Sequence, residues 1–130
     1  MLNWYFVALG IFAYLLGSVP AAYLAARFIR GIDLRKYGSG NVGASNLAKS
    51  ASAKLAIPVF LFDIGKGYLV VFLAGLAGQG LFYQIIIGIL AVVGHNWPLF
   101  LGFRGGRGIA TSLGVVLAVS PFDLIAICHR

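Results

Sequence analysis

At 130 residues the chain is long enough for one modest domain, but 61% hydrophobic against 10% charged residues and a mean hydropathy of +0.96 exclude an ordinary water-soluble fold. Ten basic against three acidic residues give a net charge of +7, and the placement of the basic residues decides what that charge means. Arg27, Arg30, Arg35, Lys36, Lys49 and Lys54 share one connection between apolar runs, and Arg104 and Arg107 share another, which is the positive-inside pattern of a membrane protein and not a nucleic-acid surface. Part of this charge serves simply to meet anionic lipid headgroups.

In chain order, Leu2 to Ala26 contains no charge, and Leu55 to Phe103 contains only Asp63 and Lys66 besides the titratable His95. Such runs exceed the roughly 20 apolar residues that cross a hydrocarbon core. The expected fold is all-α: a polytopic transmembrane helical bundle of about four spans, near 4–28, 55–77, 81–97 and 109–127, in a single membrane domain covering 1–130. The first run lacks a basic leader and is too long for a signal-peptide core, so it reads as a retained helix. Gly17, Ala21 and Ala25 recur at four-residue intervals, with Gly10 one heptad earlier, and predict a stripe that packs against a neighbour. Pro20 predicts a kink near Val19 whose freed carbonyl needs a partner. Trp4, Tyr5 and Trp97 sit near span ends as interfacial anchors. The loop charges put the N-terminus outside and both glycine-rich loops in the cytoplasm, with four crossings returning the C-terminus to the outer side.

The first of these loops reads Gly38-Ser39-Gly40-Asn41-Val42-Gly43-Ala44-Ser45-Asn46. It matches G-x-G-x-x-G, and Asp63 follows Gly43 by twenty residues, but no strand precedes Gly38 and Asp63 lies within an apolar helix, so a dinucleotide fold is rejected. Its P-loop spacing also fails, because Ala44-Ser45 stands where Lys-Ser/Thr is required. What remains is a run of backbone amides that can converge on a phosphate, with hydroxyl and amide side chains beside them; an ordinary flexible turn is the competing reading.

The second loop runs from His95-Asn96-Trp97-Pro98 through Gly102-Phe103-Arg104-Gly105-Gly106-Arg107-Gly108 to Thr111-Ser112. Guanidinium groups beside close-approaching glycines, at the start of a helix, make a second anion site. Basic residues snorkelling at the interface would account for the arginines but not for the glycines. His95 could supply a base, a donor or a charge at the end of its span, or be structural. Asp63 and Lys66, one turn apart, are expected to pair or to reach polar groups within the bundle. No Cys or His cluster has metal-ligand spacing, no Ser-His-acid set is apparent, and the single Cys128 excludes an intrachain disulfide.

Taken in order, GSGNVGASN, the D-x-x-K-G of Asp63 to Gly67, and GHNWPLFLGFRGGRGIATSLG resemble the bacterial acyl-phosphate:glycerol-3-phosphate acyltransferase family, PlsY type, over nearly the whole chain. The resemblance implies transfer of a fatty acyl group from acyl phosphate to the 1-hydroxyl of glycerol 3-phosphate. The products are lysophosphatidic acid, for phospholipid biosynthesis, and inorganic phosphate. It implies no cofactor, coenzyme A, acyl carrier protein or metal, and a multi-pass place in the bacterial plasma membrane with a cytoplasmic site. By position it assigns Ser39 and Asn41 to the reacting hydroxyl or acyl-phosphate oxygens, and Lys49 and Arg107 to phosphate. The amides of Gly105, Gly106 and Gly108 would face developing charge, and His95, in the same motif, joins Ser39 and Asn41 as a catalytic residue but not as the base. Gly38, Gly40, Gly43, Ser45, Asn46 and Arg104 complete the phosphate-binding set, and Asp63 and Lys66 support it. Ser45, Lys49 and Arg107 stand where the family commonly has Thr, Arg and Lys, and the Arg/Lys exchanges keep charge but alter fork geometry. Family members continue through further spans with a third motif not found in these 130 residues. A non-enzymatic membrane protein that binds or transports a phosphorylated solute, or an inactive truncated relative, is the alternative.

Overall fold

A computed structural model describes residues 4–78, 80–102, 105 and 108–119. The helices, in chain order, are α1 (Trp4–Gly17), α2 (Ala21–Ala25, continuing as a π-helical turn over Ala26–Arg30), α3 (Ala44–Ser50), α4 (Ala53–Leu76), α5 (Leu81–Asn96) and α6 (Ile109–Ala118), with 3-10 turns at Leu34–Lys36 and Leu99–Leu101. Among the described residues there is no strand.

Two segments are long and apolar enough to cross a membrane: α4, and the stretch Leu81–Leu101 that contains α5. At 24 residues α4 is roughly 36 Å long, at about 1.5 Å per residue. The first expected span is broken: α1 stops at Gly17, and α1 and the Ala21–Arg30 segment meet at a 40° bend, so they form a third crossing only as a bent pair. Of the fourth expected span, 109–127, the described part is the ten-residue α6 and Val119 after it, and residues 120–127 lie outside the described residues.

The break has a local cause and a local remedy. Pro20 offers no N–H, so the carbonyls at the end of α1 must find other donors. Ser18 gives both its N–H (2.9 Å) and its hydroxyl (2.8 Å) to the Tyr14 carbonyl, and Val19 N–H serves Leu16 at 3.1 Å. The Gly17 and Val19 carbonyls receive the ammonium of Lys66 on α4, at 2.9 and 3.2 Å.

Small residues let the helices approach backbone to backbone. On α1 and α5, a side chain at Gly17 would strike the Ala91 backbone, and one at Gly94 would strike the Tyr14 carbonyl; on α4 and α6, Gly67 faces the Thr111 carbonyl and Gly114 the Ile64 carbonyl. The predicted stripe therefore packs on α5 through Gly10 and Gly17, while Ala21 and Ala25 belong to the segment beyond the break. Ala13, Val70, Val71, Ala74, Ile87, Ala91 and Ala118 form one core among these helices. A second core of Ala22, Ala26, Leu34, Leu47, Ala56 and Val59 ties α2, the first 3-10 turn and α3 to the start of α4. Large apolar side chains such as Ile11 (59% exposed), Phe72 (50%) and Val116 (60%) point outward, as a lipid solvent permits.

Candidate functional site

The second core holds the glycine-rich loop against α4. Its polypeptide leaves the Leu34–Lys36 turn, passes Gly38 and Gly40 with φ of +55° and +77°, and enters α3 at Ala44. Those two positive φ values are the left-handed conformations that glycine adopts without a Cβ penalty. Asp33 anchors the approach: its carboxylate accepts from the Arg35 backbone N–H (3.0 Å), from Nε (3.0 Å) and from an Nη (2.8 Å). The side-chain hydrogen bond from Arg35 holds the Asp33 carboxyl down at about 2. The same guanidinium lies 5.0 Å over the Tyr23 ring, so Arg35 braces the loop.

Between this loop, the first three turns of α4, the end of α5 and the start of α6 lies a cavity of about 730 Å³. Its polar wall is formed by Ser39, Asn41, Ser45 and Lys49, the last two one helical turn apart on α3. The Ser39 hydroxyl accepts from Asn41 N–H at 3.3 Å, which turns both side chains into one bend. The opposite wall is apolar: Ala53, Ala56, Ile57, Phe60 and Leu61 recur at helical spacing on one side of α4, facing Ile109 and Ala110 of α6. Asp63 and His95, both buried, also line the cavity.

Asp63 and His95 are buried, with His95 Nδ1 3.9 Å from Asp63 Oδ1, and Lys66 Nζ 3.2 Å from that oxygen. Lys66 is not among the cavity residues; it joins Asp63 to the broken end of α1. The pairing expected between Asp63 and Lys66 and their reach to bundle polar groups are therefore both present.

Of the residues singled out in the sequence, Gly38, Ser39, Asn41, Gly43, Ser45, Asn46, Lys49, Asp63, His95 and Gly108 border this one cavity. Gly40 lies in the same turn, against the Arg35 carbonyl. Gly105 donates its N–H to the Asn96 carbonyl at 3.0 Å, which fastens the second loop to the end of α5. Asn46, although it borders the cavity, has its amide bonded to Leu34, Tyr37, Ser39 and Asn41 of the loop and its approach and to Ser50 of α3. Arg104, Gly106 and Arg107 lie outside the described residues. The apolar lane on α4 was not singled out in the sequence, although its 3–4 residue spacing, starting at Ala53, is the signal that marks it.

A helical fold with apolar spans, carrying a cavity with one polar and one apolar wall, defines the class as an integral membrane protein. The glycerol-3-phosphate acyltransferase family model matches residues 7–129, and the chain belongs to that family. It is 53% identical over 116 residues to glycerol-3-phosphate acyltransferase 5 of Dehalococcoides mccartyi strain 195, covering 89% of this chain and 50% of that relative. It is 50% identical over 124 residues to the glycerol-3-phosphate acyltransferase of Thermoanaerobacter sp. strain X514, covering 95% of this chain and 62% of the relative. The crystal structure of PlsY (YgiH), an integral membrane glycerol 3-phosphate acyltransferase, in its glycerol 3-phosphate form superposes with a TM-score of 0.85 at 41% identity, over 93% of this chain and 60% of that one. Its lysophosphatidic acid form gives 0.82 at 39% identity. The chain thus spans about half the length of the Dehalococcoides relative.

Proposed function

We propose that this chain forms the substrate-receiving part of a membrane acyltransferase that moves a fatty acyl group from acyl phosphate to the 1-hydroxyl of glycerol 3-phosphate, at the cytoplasmic rim of a bacterial plasma membrane. One observation carries the reading: a single cavity sets Ser39, Asn41, Ser45 and Lys49 against the apolar lane Ile57, Phe60 and Leu61. A phosphorylated polyol fits the first wall and an acyl chain the second. PlsY structures in glycerol 3-phosphate and lysophosphatidic acid forms support the same pair of ligands.

In the reaction the glycerol 3-phosphate hydroxyl oxygen attacks the acyl carbonyl carbon, the C–O bond to phosphate breaks, and inorganic phosphate leaves with lysophosphatidic acid as the other product. The hydroxyl proton passes to a phosphate oxygen of the substrates, so no side-chain base is needed. Ser39 and Asn41 orient the reacting oxygens, and Lys49 with Arg107 and Arg104 offsets phosphate charge. Gly108, at the start of α6, brings the positive end of that helix toward the leaving group. His95 and Asp63 contribute to the cavity lining. The chemistry calls for no metal, nucleotide or coenzyme A.

The test is conversion of palmitoyl phosphate and labelled glycerol 3-phosphate to lysophosphatidic acid in lipid nanodiscs. It is run with the chain alone and with the remaining segment of the Dehalococcoides relative supplied separately. Product in either arm that Ser39→Ala abolishes supports the reading. No product in both arms, or product undiminished in the variant, rejects it.

A further inference from the structure

Building on the phosphate-binding role proposed for the loop, we infer that Asn46 sets the shape of the Tyr37–Asn41 turn from behind, as a positioning residue and not as a phosphate ligand. Its side chain is buried, at 4% exposure. Nδ2 lies 2.8 Å from the Asn41 carbonyl, 3.0 Å from that of Tyr37 and 3.4 Å from that of Leu34. Oδ1 accepts from the Ser39 backbone N–H at 3.2 Å and from the Ser50 hydroxyl at 3.0 Å. A primary amide has two donor hydrogens and two acceptor lone pairs, so these partners occupy all of it and leave nothing to reach a ligand.

The partners define the loop at three depths. Leu34 lies in the 3-10 turn before it, Tyr37 and Asn41 bracket the bend, and Ser39 is its tip. One side chain therefore fixes entry, apex and exit together. Gly38 completes the fit: a Cβ there would collide with Asn46 Oδ1 and with Ser50 Oγ, so the absence of a side chain at 38 is what admits the amide. Asn46 also follows Ser45 directly on α3 and precedes Lys49 by less than one turn. The helix that presents Ser45 and Lys49 to the cavity thus holds the turn that presents Ser39 and Asn41, and the polar wall is one rigid unit.

Asn46→Asp keeps the shape but removes both donors and sets a carboxylate among three carbonyl oxygens; Asn46→Ala removes all five contacts. In the full chain in nanodiscs, backbone hydrogen exchange over residues 37–43 should rise about ten-fold or more in both variants, with α1 and α5 as protected as before. Ser50→Ala, which loses one contact, should give a smaller rise in the same segment. Where turnover is measurable, the glycerol 3-phosphate KM should rise about ten-fold while kcat falls less. Unchanged exchange in 37–43 overturns the inference, and so does equal acceleration throughout α1, α4 and α5, which would make Asn46 a determinant of overall stability only. If the wild-type chain neither binds nor turns over glycerol 3-phosphate, the proposed function fails while the exchange result still decides the part played by Asn46.

Discussion

The ammonium of Lys66, midway along α4, donates to the carbonyl of Gly17 at 2.9 Å, across 49 residues of sequence. It gives a second hydrogen bond to the Val19 carbonyl (3.2 Å) and pairs in charge with Asp63 Oδ1 (3.2 Å), so a fully buried ammonium has three oxygen neighbours. Three unfavourable features, a proline break, a buried carboxylate and a buried ammonium, are thereby made to cancel one another.

Lys66→Met should lower stability by about 3–5 kcal/mol, because it leaves two carbonyls and a carboxylate without their partner inside the bundle. The double variant Asp63→Asn/Lys66→Met should cost clearly less than the two single changes added together. Denaturant titration in detergent micelles measures both; strict additivity would contradict the coupling.

Glycine close contacts predict a contrast. Gly114→Ala places a methyl on the Ile64 carbonyl and should cost about 1–3 kcal/mol by separating α4 from α6. Gly65 on the same α4 has open space around it, and Gly65→Ala should be neutral or stabilise by up to about 1 kcal/mol. Melting curves for the pair read the difference directly.

Acidification should test the loop anchor. The folded Asp33 carboxyl lies below its ordinary 3.8, at about 2, so the Asp33–Arg35 contribution is whole above about 4 and disappears as pH falls through 2. A carboxyl carbon NMR titration should give a midpoint near 2 for Asp33. In Arg35→Ala that midpoint should move up toward 3.8.

The apolar lane predicts a dependence on the acyl chain. Ile57→Glu should raise the KM for palmitoyl phosphate about ten-fold or more, since it removes apolar contact worth about 1.5–3 kcal/mol, and should leave turnover of acetyl phosphate nearly unchanged. Equal losses with both donors would argue against an acyl chain beside α4.

Much of this architecture is legible in the sequence because lipid is a demanding solvent. Long apolar runs with few charges coincide with α4 and α5, and Pro20 marks the break. The D-x-x-K spacing announces the Asp63–Lys66 pair. The interfacial layer is less legible: α2, its π turn and α3 are short, and the small residues of their core, Ala22, Ala26 and Ala56, look like any others in the chain. The inward turn of Asn46 is hidden for a different reason. Ser-Asn-Gly composition suits an open anion nest and a closed hydrogen-bonded one equally, and only the coordinates of Leu34 and Tyr37 distinguish them.

The Lys66 link also orders the assembly of the protein. When α1 first enters the membrane its last carbonyls lack the donor that they have in the finished bundle, because that donor emerges later with α4. The bend at the end of the first helix is therefore complete only in the company of α4, which carries its missing donor.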